Sequence, residues 1–532
     1  MVATHTEQAQ QQAELQKRLW AIANDLRGNM DASEFRNYIL GLIFYRFLSE
    51  RVQMYANQLL QNDSYTFSEA YQDEDYRDDL VAEIKSSLGF FIEPKALFDS
   101  MIQHIQAGNF DIEMLQDSIN EVQSSTIGQE SEDDFKGLFE DMDLASSRLG
   151  STVAERSELI AKVMMNLADI DFHENELKID VLGDAYEYLI GQFAATAGKK
   201  AGEFYTPQQV SKVLSQLVTL NREEVRTVYD PTMGSGSLLL RVGDYAKVAE
   251  YYGQELNGTT YNLARMNMLM HGINYSRFDL RQGDTLENDQ FPERTFDAVV
   301  ANPPYSANWN ATDKLDDERF RKYGKTAPKS KADFAFVEHM LYHLKTDGRM
   351  AVVLPHGVLF RGAAEGKIRQ YMIEKDNVLD AVIGMPANLF YGTSIPTVVL
   401  VFDKSRINHD ILFIDASKDF EKGKNQNNLT DENVKKIIDT YKDRKDVKKF
   451  AHVADFNEIK ENEFNLNIPR YVDTFEPEPP VDVDKLVADI KDTDEQISKL
   501  ESEFSSMLDD LEGKNPVAQQ QLTKIKELFK NE

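Results

Sequence analysis

From about Val225 the apolar residues fall into short β-rich runs separated by longer stretches of helical spacing. The runs are RTVYD (226–230), AEYYGQE (249–255), RFDLRQ (277–282), FDAVVA (296–301), RMAVVLP (349–355), NVLDAVIG (377–384) and TVVLVFD (397–403). Between them, TTYNLARMNMLMHG (259–272) and ADFAFVEHMLYHLK (332–345) repeat their apolar positions at helical spacing, and LLLRVGDYAKV (238–248) reads as a further helix. Strand and helix in alternation predict a doubly wound α/β domain: a parallel sheet with crossovers, and ligands beyond the carboxyl ends of its strands.

The first 150 residues carry a different pattern. Asp31 or Ser33 can cap a helix that continues through ILGLIFYRFLSERV, where Leu40, Phe44, Phe47 and Leu48 share one face and read as core. The acidic stretch 129–134 reads as a surface loop, and two more helices follow near 157–168 and 181–193. At the other end, DTFEPEPPVD has the composition of a linker. Beyond it, Val483, Ile490, Ile497, Phe504 and Leu511 repeat every seven residues, with Leu486, Thr493, Leu500 and Met507 on the companion seam. Gly513 and Pro516 end that pattern before a short helix at 519–529. The heptads suit either packing on the chain's own domain or docking on a partner helix. The organisation expected is a helical domain at 1–155, a catalytic α/β domain at 156–470, and a linker with a coiled-coil-like helical tail at 471–532.

Composition narrows the chemistry. The chain has 532 residues and no cysteine, which removes disulfides, thiolate metal sites and cysteine nucleophiles. No apolar run reaches membrane-spanning length and the amino terminus lacks a signal-peptide core, so a cytoplasmic protein without a membrane partner is expected. A formal net charge of -31 opposes self-sufficient binding of nucleic acid, so a DNA substrate would require another component to supply most of the affinity.

Three acids stand at the ends of three successive strand runs. Asp230 opens Asp230-Pro231-Thr232-Met233-Gly234-Ser235-Gly236-Ser237, a glycine-rich turn whose amides can meet a ligand closely. Its spacing matches neither a dinucleotide fingerprint nor a phosphate loop, and GAAEGK (362–367) fails the second pattern as well. Glu255 is placed to accept from ribose hydroxyls, although it can equally cap the next helix. Asp284 can accept from an exocyclic amine. After the fourth run comes Asn302-Pro303-Pro304-Tyr305. An adenine amino group is a poor nucleophile until two acceptors take its hydrogens and pyramidalise the nitrogen. The Asn302 side-chain oxygen and the Pro303 carbonyl can be those acceptors, Pro303 and Pro304 stiffen the backbone that holds them, and Tyr305 offers a face to an extruded base.

In these residues the chain resembles the Rossmann-like amino-methyltransferases that carry D/N/S-P-P-Y/F/W. The resemblance implies S-adenosylmethionine as cofactor, with Gly234, Ser235, Gly236 and Ser237 as the glycine loop, Asp230 beside it, Glu255 on the ribose and Asp284 on the cofactor's adenine. It also implies that Glu203-Phe204-Tyr205-Thr206-Pro207-Gln208 forms a turn against the methionine part. Many relatives have G-T-A-G where this loop reads G-S-G-S. More narrowly, DASEFRNYILGLIFYRFLSERV, DVLGDAYEYLIGQFA, GKKAGEFYTPQQV, YDPTMGSGSLLL and ANPPYSANW resemble the modification subunits of type I restriction-modification systems. That family implies a DNA adenine methyltransferase, two copies of the chain on one specificity subunit, and a separate motor-nuclease restriction subunit.

The segment 314–331 holds Lys314, Arg319, Arg321, Lys322, Lys325 and Lys329, and is a candidate phosphate clamp next to the catalytic turn or a solvated loop; Lys199 and Lys200 are a second candidate. No Walker lysine, metal-type histidine spacing or serine nucleophile elbow is present, and methyl transfer requires no metal. Two alternatives stay open on the residues alone: methylation of an amine or amide in RNA or protein, and a scaffold that binds the cofactor without chemistry.

Overall fold

The computed structural model describes residues 32–170, 179–196, 205–390, 393–424, 426–474 and 482–528, together with Lys17 and Trp20. The chain divides into two compact units, residues 1–473 and 474–532.

The first unit is built on a nine-stranded sheet. Its strands are β1 (Glu224–Asp230), β2 (Lys247–Glu255), β3 (Phe278–Gln282), β4 (Phe296–Ala301), β5 (Leu344–Pro355), β6 (Leu379–Gly384), β7 (Thr397–Asp403), β8 (Ile411–Asp415) and β11 (Ala451–Ala454). The two-residue strands β9 (Glu421–Lys422) and β10 (Asn427–Asn428) pair separately. The order across the sheet is β11-β8-β6-β7-β5-β4-β1-β2-β3. Chain order reverses between β1 and β4, which puts the ligand crevice of a doubly wound fold at their carboxyl ends.

The seven apolar runs form β1 to β7, but the sheet is mixed rather than parallel. β7 runs antiparallel to both β5 and β6, and β11 antiparallel to β8. A parallel neighbour needs a crossover. The segment between Gly384 and Thr397 contains no helix among its described residues, so β7 enters beside β6 in the opposite sense. Both faces of the sheet are covered, which explains the near-continuous apolar strands. Along β4, Ala298 and Val300 join a core shared with the amino-terminal helices, while Phe296, Val299 and Ala301 face Phe334 and Met340 on the other side.

The helix expected at 238–248 is only Ser237–Val242, because Lys247 and Val248 already belong to β2. Gly243 makes the turn between them, and a Cβ there would stand 2.5 Å from the Tyr251 hydroxyl.

The amino-terminal helix Ala32–Leu59 buries Leu40, Phe44, Phe47 and Leu48. Asp31, one of its two expected caps, lies outside the described residues. In the stretch 129–134, Ser131 departs from the expected surface loop: it is buried, its hydroxyl bonded to the Gly89 carbonyl. Directly after it the chain docks on the helix Gly258–Met270. Arg265, 2% exposed, donates to the carbonyls of Asp133 and Asp134, while Asp141 accepts from Thr259 (2.5 Å) and Asn262 (2.9 Å).

The second unit holds the helices Val483–Asp509 and Pro516–Leu528. Val483, Leu486, Ile490, Ile497, Leu500, Phe504 and Met507 are each between 45% and 68% exposed. The first helix ends at Asp509, so Leu511 falls beyond it and continues no seam. The second helix starts at Pro516 rather than 519. Proline is well tolerated in a first turn, and the Asn515 side chain accepts from the Ala518 N–H.

Candidate active site

The glycine loop leaves β1 at Asp230, a buried carboxyl that accepts from the Thr232 N–H at 2.8 Å. Burial pushes its pKa up to about 8, with the Glu255 charge adding to the shift and the Thr232 bonds opposing it. Gly234 (φ 56°) and Gly236 (φ 78°) are left-handed, which is why this turn is written with glycine. Its back is held by the helix Gly258–Met270, from which Asn267 donates to the Ser235 carbonyl at 3.0 Å. Ser235 and Ser237 are buried and share a hydrogen bond between their hydroxyls.

Glu255 ends β2 beside this loop. Its carboxylate accepts from the Gly234 N–H (3.0 Å) and the Asn257 N–H (2.9 Å). The cap of the next helix is Asn257, which accepts from the Thr260 N–H, so Glu255 is not consumed by capping. Burial raises its pKa and the backbone donors oppose that shift. At the end of β3, Asp284 spends Oδ1 on the N–H groups of Leu286 and Glu287 and thereby shapes its own loop.

Asn302 follows β4, next to β1 in the sheet. Its amide is held at both ends: Nδ2 donates to the Thr206 hydroxyl at 3.2 Å, and Oδ1 accepts from the Tyr305 hydroxyl at 2.8 Å. The Tyr205-Thr206-Pro207-Gln208 turn therefore meets the Asn302–Tyr305 turn directly. Glu203 and Phe204 lie outside the described residues, as do Lys199 and Lys200. Tyr205 is buried, its ring about 3.2 Å from where a Cβ on Gly191 would stand. Pro303 is buried; Pro304 and Tyr305 are half-buried. The Tyr305 ring meets Phe390 edge-on, with centroids 5.9 Å apart. Burial, with Asp333 adding, keeps its phenol protonated far above the ordinary range.

The basic segment is not one open cluster. Arg319 is buried and donates to the carbonyls of Thr285 and Leu286, to Asp317 and to His339. Lys314 reaches the Leu286 carbonyl and Glu287, and Lys322 pairs with Asp376. Arg319 and Lys314 hold the loop that carries Asp284, while Arg321, Lys325 and Lys329 are exposed, Arg321 donating to the Asp316 carbonyl. Local charge count could not foresee this, because Arg319 and Lys314 reach carbonyls about thirty residues upstream. Phe390 and Asp333 were also missed. Phe390 sits in a Gly- and Pro-rich connection without periodicity, and Asp333 opens a helix where an acid ordinarily serves the helix dipole.

Residues 177–479 match the family model described as N-6 DNA Methylase, and residues 15–167 match that of the HsdM N-terminal domain. The methylase subunit of the type I restriction enzyme MpnII from Mycoplasma pneumoniae is 37% identical over 522 residues, 93% of this chain and 96% of that one. The chain belongs to the type I restriction methylase subunits. Within that family, the MjaIX methylase subunit of Methanocaldococcus jannaschii is 29% identical over 86% of this chain and 84% of its own. A crystal structure of the type I restriction-modification methyltransferase subunit from Streptococcus thermophilus, 46% identical, matches with a TM-score of 0.81 over 87% of this methylase subunit and 99% of that chain.

Proposed function

We propose that this chain methylates the N6 amino group of adenine in DNA with S-adenosylmethionine, as the modification subunit of a type I restriction-modification complex. The observation that carries the reading is the placement of Asn302 at the switch point of the sheet, beside the glycine loop, with its amide clamped between Thr206 and Tyr305.

The residues fit the cofactor. A left-handed glycine turn, a carboxyl at the end of β1 and a second carboxylate at the end of β2 make an acceptor-rich cradle for a cationic nucleoside. When bound, S-adenosylmethionine supplies a methyl group on a sulfonium, which passes to the amino nitrogen as the methyl–sulfur bond breaks with its electron pair on sulfur and one amine proton leaves. Glu255 keeps lone pairs for the ribose hydroxyls, and the Asp284 loop receives the cofactor's adenine. With Nδ2 on the Thr206 hydroxyl, Oδ1 is left to accept from the amine as its lone pair localises; the Pro303 carbonyl is the second acceptor. Tyr305 stacks on the extruded base with Phe390 at its edge.

The net charge of -31 and the exposed seam of the Val483–Asp509 helix support delegation of target reading to a specificity subunit, on which two copies of this chain assemble. A motor-nuclease restriction subunit joins for cleavage. The division into a helical domain, a catalytic domain and an assembly tail, near residues 155 and 470, belongs to the same reading.

The test is transfer of labelled methyl to duplex DNA by the reconstituted complex, followed by nucleoside analysis. Label is expected in 6-methyladenine, and Asn302→Ala is expected to lower transfer by about a hundredfold or more while still binding S-adenosylmethionine. Label on cytosine or protein, or equal transfer by Asn302→Ala, overturns the reading.

A further inference from the structure

Immediately after Tyr305 the backbone turns through Ser306 at φ 50°, a left-handed conformation that residues with a side chain rarely adopt. Something must hold it there. The Ser306 N–H donates to Asp333 Oδ1 at 2.8 Å, and the Ser306 hydroxyl lies 3.5 Å from Oδ2. Asp333 is fully buried at the start of the helix Asp333–Tyr342, and its Oδ2 accepts from Arg361 Nη2 at 2.6 Å. Arg361 in turn is gripped by buried Glu365, through Nε at 2.6 Å and Nη2 at 2.8 Å. The loop carrying Arg361 is itself anchored, since Arg369 donates to the carbonyls of Val358 and Arg361. Among the described residues Lys331 also faces the turn, its Nζ donating to the Ser306 hydroxyl at 3.4 Å.

We propose that Asp333 is a positioning residue for methyl transfer: its carboxylate, oriented by Arg361 and Glu365, fixes the Ser306 backbone and with it the attitude of Tyr305 and Asn302 toward the target base. The inference rests on the reading of Asn302–Tyr305 as the methylation turn. A buried carboxylate that served only to begin a helix would accept from the N–H groups of its own first turn. Asp333 spends both oxygens elsewhere, one on the turn after Tyr305 and one on a guanidinium from the β5–β6 connection. The turn is thus tied to a second loop at the same edge of the sheet, and its geometry does not depend on the two prolines alone. Prolines stiffen positions 303 and 304; they do nothing for the residue that decides where the chain leaves Tyr305.

The experiment uses the reconstituted complex and single-turnover methylation, with S-adenosylmethionine affinity measured by calorimetry. Asp333→Asn keeps an acceptor for Ser306 but sets an uncharged amide against Arg361. It is expected to retain cofactor affinity within about twofold and to lose about a hundredfold in rate, the scale of a displacement near 1 Å at the reacting group. Because the effect is transmitted through the turn, adding Asp333→Asn to Asn302→Ala should cost little beyond Asn302→Ala alone, whereas independent structural damage would multiply. Ser306→Gly accepts φ 50° without help, and should restore about tenfold of the rate lost in Asp333→Asn. If Asp333→Asn does not fold, Arg361→Lys tests the same tether: an ammonium cannot span Asp333 and Glu365 as the guanidinium fork does, so the rate should fall with cofactor affinity unchanged. Full activity in a folded Asp333→Asn or Arg361→Lys protein, or a loss that multiplies in full onto Asn302→Ala, overturns the inference. Wild-type activity in Asn302→Ala would instead bring down the reading of the turn.

Discussion

Tyr305 and Asn302, three residues apart on the turn after β4, are joined by a 2.8 Å hydrogen bond in which the phenol donates to the amide oxygen. The oxygen proposed to accept from a target amine is therefore already serving a donor in the resting chain. A target amine has to share that oxygen with the hydroxyl or displace it, while the base takes up the ring as its stacking partner. Tyr305→Phe removes the competing donor and keeps the ring, so binding of the target base should tighten by about 0.5 to 1.5 kcal/mol, the net value of one hydrogen bond. Tyr305→Ala loses the stack and should cost about 1 to 3 kcal/mol. Affinity of the complex for a duplex with adenine at the target position, with single-turnover methylation rates on the same duplex, measures both; equal behaviour of the two variants would refute the competition.

A second prediction concerns Asp230. Its folded pKa near 8 lies far above the ordinary aspartate value of about 3.9. Through that interval the folded state holds a proton that the unfolded chain has released. The stability associated with the protonated carboxyl is full below about pH 4 and is lost as pH rises through about 8. Asp230→Asn stays neutral throughout, so the difference in unfolding free energy between it and the wild type should shift in favour of the variant as pH rises, and then level off above about 8. Urea unfolding at a series of pH values reads this directly; a pH-independent difference contradicts it.

Arg319 gives a third. Because its guanidinium holds the carbonyls of Thr285 and Leu286 from a buried position, Arg319→Ala should behave as a core lesion, losing about 3 to 5 kcal/mol of stability and weakening cofactor binding through the Asp284 loop. The salt dependence of DNA binding by the complex should stay as it is. Substitution of Lys325 and Lys329 should do the reverse, leaving stability near wild type and reducing the salt slope by about one for each phosphate contact removed. Thermal unfolding and binding at several salt concentrations separate the two classes.

The fourth concerns the tail. Since residues 474–532 form their own compact unit, deletion from Asp482 onward should leave cofactor affinity and thermal stability of the remainder near wild type. Co-purification with the specificity subunit should be lost. Stoichiometric assembly by the truncated chain would exclude the exposed seam as the docking surface.

Much of the frame can be read from residue order. Strands buried on both faces announce themselves as apolar runs, and β1 to β7 lie on the seven that stand out. Four strands lie off those runs: β8, ILFID, is apolar but not among them, β9 and β10 are two residues each, and β11, AHVA, carries no run at all. The sense of β7 is equally silent, because a strand's own composition does not encode its direction; the absence of a helix among the described residues before it does. In the site, Asp230, Gly234, Glu255 and Asn302 are legible because each stands at a strand end. What escapes is whatever works across the chain. The Thr206–Asn302 bond spans 96 residues and the Arg361–Asp333 pair 28, and no local pattern reports either.

The docking of Arg265 and Asp141 across the helix Gly258–Met270 bears on how relatives of this chain can be recombined. That helix also carries Asn267, the residue bracing the glycine loop from behind. A chimaera that brings the amino-terminal helices of another methylase onto this catalytic core would import new neighbours for Arg265, Thr259 and Asn262. A guanidinium only 2% exposed tolerates no loss of acceptors. Functional hybrids should therefore be those whose crossover carries residues 133–141 and 259–267 from one parent, even though the two stretches lie more than a hundred residues apart.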